Sequence, residues 1–102
     1  MGRASATMKH RELTSLTRQA IDSLKEKCLV LHNLVVKVDA AAAKLDSLTD
    51  QMDDGEETEN ASKECIALTK EMHEACEVVD VQRAKLKSTV KSLKDFHSRI
   101  SQ

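Results

Sequence analysis

Two stretches of seven-residue apolar repeat, slipped against each other by one residue, constrain this chain more than any other feature. The first places Leu24, Leu31, Val38, Leu45 and Met52 in one row, and Leu13, Ala20, Lys27, Leu34, Ala41 and Leu48 in a second. The second places Cys65, Met72, Val79, Leu86, Leu93 and Ile100 in one row, and Ala61, Leu68, Ala75, Gln82, Thr89 and Phe96 in the other. Spacing that alternates between three and four brings each pair of rows to one face of a helix, which must then pack on another helix. Carried past Met52, the first repeat would put Glu59 and Ile66 in the core, one residue out of step with Cys65. Continuous coiled coils absorb inserts of three or four residues, and a slip of one is neither. The phase therefore predicts two helices with a break between them.

Composition supports an all-α chain. Among 102 residues there is no proline, there are two glycines, and Phe96 is the single aromatic residue. Helix-breaking residues are thus rare, and burial has to come from aliphatic side chains along long helices. The break falls in Asp53-Asp54-Gly55-Glu56-Glu57-Thr58-Glu59-Asn60, which holds a glycine, five acids and two residues suited to capping. The expected layout is a disordered tail over 1–7, a helix over 8–52, an acidic turn over 53–59 and a helix over 60–101. Helices of nearly equal length fold back into an antiparallel hairpin. With the turn centred at Gly55 to Glu57, Cys28 is expected opposite residue 84 and His73 opposite residue 39.

Two helices leave apolar surface unaccounted for. A third row, Ile21, Cys28, Val35 and Ala42 with Cys76 and Val90, widens the apolar face beyond a two-stranded seam. The stretch Cys28-Leu29-Val30-Leu31-His32-Asn33-Leu34-Val35-Val36 is apolar on most sides of its helix, as befits one covered on most sides. The hairpin is therefore expected to pack into a four-helix bundle or coiled-coil assembly. Its expected partner contacts are Leu29, Val30, Leu34, Val35, Val36, Cys76, Val78 and Val81. The partner is either a second copy, giving a homodimer, or another helical subunit.

Net charge is −1, but it is unevenly spread. Residues 1–27 hold six bases and three acids, residues 78–102 hold six bases and two acids, and nine acids lie from Asp53 to Glu77. A hairpin brings the two basic segments to one end. Lys91, Lys94 and Arg99 suit a helix C-terminus, whereas Arg3, Lys9 and Arg11 oppose the dipole at a helix start. That opposition gives the alternative reading, a dimeric module gripping nucleic acid or an anionic membrane surface through its basic end. Missing stacking aromatics weigh against nucleic acid.

No chemistry-bearing constellation stands out. Cys28 with His32, and His73 with Cys76, have spacings that suit zinc, but the expected turn centre separates the two pairs by roughly 10 Å along the axis. His73-Glu74 opens like a zinc-protease helix motif, with Glu77 where the second histidine belongs. No nucleophile is matched with a base and an orienting group. No catalytic residue, metal or cofactor is therefore expected. Ala6 stands where an acylation motif after Met1-Gly2 needs Ser or Thr, and Asn60-Ala61-Ser62 reads as a helix start. The three cysteines suit reduced thiols, and no apolar run approaches the roughly 18 residues of a membrane span. A cytoplasmic location is expected, with the nucleus as the alternative.

The layout is similar in style to small helical subunits of trafficking, tethering and kinetochore complexes, without a shared motif. The expected function is a non-enzymatic interaction or scaffold subunit that assembles through helix packing.

Overall fold

The computed structural model describes residues 3–52 and 55–101, with side-chain surroundings from Ser5 onward. Among these residues there are two helices and no strand: α1 spans Arg3–Asp50 and α2 spans Glu56–Ile100. The chain is an antiparallel helical hairpin, all-α as the phase slip predicts. It divides into two compact units. Unit 1 comprises residues 1–27 and 79–102, and unit 2 comprises the segment Cys28–Val78.

The helix limits depart from the expected ones. Helix α1 begins at Arg3, so most of the stretch expected to be a disordered tail is helical, and it stops at Asp50, two residues before Met52. Helix α2 begins at Glu56, which places Glu56, Glu57 and Glu59 in its first turn against the positive end of the peptide dipoles. His97 and Arg99 lie in its last turn, where the dipole favours cations. The expected turn residues Asp53 and Asp54 lie outside the described residues.

Unit 2 shows how the first helix is stopped. The amide of Met52 donates to the carbonyl of Thr49 at 3.0 Å, and the amide of Gln51 donates to that of Ser47 at 3.2 Å. Met52 has a φ of 55°, the left-handed conformation that commonly closes a helix. Gly55 is the expected breaker. It stands immediately before α2, where its carbonyl accepts the first helical bond, from the amide of Glu59 at 3.2 Å. Ala41, Leu48 and Ala61 are the buried apolar residues of this unit. Leu31, Leu34, Val38, Leu45, Cys65, Leu68, Met72 and Ala75 are half-buried beside them. Every one of these belongs to the repeat rows. Met52, assigned to a row by spacing alone, is 87 % exposed because the chain has already left the helix there.

Unit 1 packs the start of α1 on the end of α2. Leu13 is buried, while Ala20, Leu24, Lys27, Val79, Gln82, Leu86, Leu93 and Phe96 are half-buried. Ile100, the last residue of its row, is exposed. The first repeat reaches further toward the N-terminus than its apolar members suggest. Thr17 is half-buried on the extended row, and His10, one heptad earlier, lies against Phe96 with ring centroids 6.4 Å apart. Threonine enters the seam without stranding its hydroxyl: Thr17 donates to the Leu13 carbonyl and Thr89 to the Leu86 carbonyl, each at 2.9 Å.

Register follows from these contacts and differs from the expected one. In unit 2 the helix ends Asp50 and Glu56 stand equally far from position 53. In unit 1 His10 and Phe96 also stand equally far from position 53. Pairing is therefore centred near 53, where the sequence reading had placed it near 56. Core layers recur every seven residues in an antiparallel seam, so the alternatives differ by about 10 Å of axial slide. With the centre at 53, every layer joins two row positions: Leu45 with Ala61, Ala41 with Cys65, Val38 with Leu68, and Thr17 with Thr89.

Candidate interaction surface

In unit 2, helix α1 carries apolar side chains on columns that the hairpin does not use. One column, Cys28, Val35 and Ala42, flanks the inner rows, and the next, Leu29, Val36 and Ala43, lies on the side of the helix turned away from them. Leu29 is 61 % exposed, Val36 55 % and Val35 45 %. Val30, on the other flank of the inner rows, is also exposed, as are Ala40 and Ala43. On α2 of this unit Val78 and Ile66 are exposed, and Cys76 is half-buried. Leu34 faces inward as a half-buried member of its row. Of the residues expected to contact a partner, unit 2 thus gathers Leu29, Val35 and Val36 on one side of α1 and keeps Leu34 in its own seam. Val81 belongs to unit 1, where it is exposed together with Met8, Leu16 and Ile21. Spacing alone missed Ile66, which is isolated among polar neighbours and belongs to no row.

Charge separates the two units. Unit 1 holds twelve bases and five acids, a formal +7, and unit 2 holds four bases and twelve acids, a formal −8. Among the described residues three ion pairs form: Lys9–Glu12 at 3.8 Å, Lys63–Glu59 at 3.3 Å and Arg83–Asp80 at 3.6 Å. Each lies within a single helix and is well exposed, so each contributes at most about 0.5 kcal/mol. The charges are therefore not what joins α1 to α2. Of the expected basic end, Lys9, Arg11, Lys91, Lys94 and Arg99 are exposed side chains of unit 1, and Arg3 opens α1.

The thiol and imidazole groups stand differently from the sequence reading. Cys28, His32, His73 and Cys76 all belong to unit 2. With pairing centred at 53, His73 is level with Asn33 and Cys76 with Val30, so the axial offset that argued against a shared ion does not exist. Cys28 is exposed and Cys76 half-buried, both on the row that flanks the seam. Among the described residues no three His, Cys, Asp or Glu side chains come together to hold a metal ion. No helix of the described residues is long and apolar enough to cross a membrane. Compared with family models, characterised proteins and solved structures, the chain matches none.

Proposed function

We propose that this chain is a non-enzymatic interaction subunit whose hairpin is completed by helices of another chain, forming a four-helix bundle or larger helical assembly. One observation carries the reading: Leu29 and Val36 are exposed on the outer side of a helix whose inner rows are already filled, and Val35 is exposed on the adjoining flank. A helix with apolar side chains on both its inner and outer columns is normally covered on both. Full burial of each large aliphatic contributes about 1.5–3 kcal/mol, so covering these side chains gives association a substantial driving force. A role inside a multi-subunit complex of the trafficking, tethering or cytoskeletal kind belongs to the same proposal, as does a cytoplasmic location.

The test is the pair Val35→Glu and Val36→Glu, both exposed positions outside the inner rows. Helical content by circular dichroism stays at the level of the unmodified chain, while the assembly seen by light scattering falls to single chains of 11.3 kDa. An assembly that survives both substitutions unchanged removes these residues from the interface and, with them, the reading.

A further inference from the structure

We infer that unit 1 binds the phosphate backbone of duplex nucleic acid through one face of its helix pair. The inference goes beyond the interaction reading and does not rest on it. A residue that follows a row member is turned about 100° onward around its helix. Because the helices of unit 1 run antiparallel, this turn brings such residues of α1 and α2 to the same face of the pair, and residues that precede a row member to the opposite face. The first face carries Arg11, Arg18 and Lys25 on α1, following His10, Thr17 and Leu24. From α2 it carries Arg83, Lys87 and Lys94, following Gln82, Leu86 and Leu93. All six bases are exposed. The acid on this face is Asp80, already paired with Arg83 at 3.6 Å, so the face stands at a formal +5. The opposite face sets Lys9, Lys85 and Arg99 against Glu12, Glu26 and Asp95 and is formally neutral.

Helix stability does not explain this partition. An acid three or four residues from Lys87 or Lys94 would pair with it along the helix, yet none stands there. Arg83, Lys87 and Lys91 instead repeat at intervals of four, where like charges repel. Among the described residues only Arg83 of the six bases makes an ion pair. From Arg11 to Lys25 the helix covers about 21 Å, along which duplex DNA presents about twelve phosphates, about half of them toward one side. Six bases thus meet a similar number of phosphates. The charge acts locally: at physiological salt, interactions beyond about 8 Å are largely screened, so the −1 of the whole chain does not cancel it. Missing aromatics count against single strands and not against a duplex, whose bases stay stacked. A membrane surface matches less well, because interfacial helices bind by burying apolar side chains in the lipid. Exposed Leu16 and Val81 precede row members and lie on the neutral face, and among the described residues the basic face exposes a single large aliphatic, Ile21.

Fluorescence anisotropy with a labelled DNA duplex of mixed sequence tests this on the full chain. Affinity of the unmodified chain should fall about 10²–10³-fold between 50 and 200 mM salt, the loss that about five phosphate contacts produce. One variant combines Arg18→Gln, Lys87→Gln and Lys94→Gln on the basic face, and the other combines Lys9→Gln, Lys85→Gln and Arg99→Gln on the neutral face. Each removes three charges, so bulk charge is held equal. The first should bind at least about thirtyfold more weakly at 50 mM salt and respond less steeply to salt, and the second should lose less than about threefold. Helical content by circular dichroism separates lost contacts from lost fold, and Lys87→Gln with Lys94→Gln alone replaces the first variant if its helix is reduced. A duplex left unbound by the unmodified chain at 50 mM salt overturns the inference. Equal weakening by both variants also overturns it, since binding would then follow total charge and not this face. Capture by phosphatidylserine vesicles without binding of the duplex assigns the face to lipid and overturns it as well. None of these outcomes bears on the proposed assembly, which Val36→Glu tests by light scattering.

Discussion

Met52 is the residue at which α1 gives way to the turn, and it does so in a conformation that side chains resist. A left-handed φ costs a residue with a Cβ about 1–2 kcal/mol, and glycine almost nothing. Substituting Met52→Gly should therefore raise stability by about 0.5–1 kcal/mol, after allowing for the extra freedom glycine gives the unfolded chain. Met52→Val should lower it by at least about 1 kcal/mol, since a branched Cβ tolerates this region least. Urea midpoints compared at one fixed protein concentration check both, because association also shifts apparent stability. A midpoint unmoved by both substitutions would mean that the left-handed turn is not held in solution. In the sequence Gly55 marks the break between the two helices, and nothing there singles out Met52; in the structure Gly55 stands before α2, its carbonyl accepting from the amide of Glu59.

At the scale of the helices, the rows were legible and the register was not. Spacing identifies which side chains face inward, and the structure places Leu13, Ala41, Leu48 and Ala61 there as its buried residues. Yet a repeat of seven constrains the slide of one helix along the other only to within whole heptads. The turn chooses among the choices, and an acidic stretch rich in capping residues admits more than one centre. The continuation of the Leu24 row through Thr17 and His10 was hidden for a different reason. His10 and Thr17 look polar in sequence, but one stacks on Phe96 and the other returns its hydroxyl to its own helix. Cross-linking distinguishes the registers inside unit 2. With Cys28 and Cys76 replaced by serine, Ala41→Cys should form an intramolecular disulfide with Cys65 under mild oxidation, and Leu48→Cys should not. A register one heptad longer reverses the outcome, which peptide mapping by mass spectrometry reads directly.

For the molecule as a whole, the hairpin followed from the phase slip, while the covering of its outer face was only implied by the excess of apolar residues between Cys28 and Val36. Sequence spacing grouped Leu34 with the partner contacts because neighbours along a chain look contiguous on paper. The helix separates them, turning Leu34 into the seam, Val35 to its flank and Leu29 and Val36 away from it. The charge imbalance was visible as basic ends and an acidic middle. Its near symmetry emerged once the chain was divided between Lys27 and Cys28 and between Val78 and Val79. The most direct measurement is the solution mass of the unmodified chain by light scattering at low salt. The expected value is at least twice the chain mass of 11.3 kDa. A single-chain mass across the accessible concentration range, with Leu29, Val35 and Val36 left in water, would contradict it.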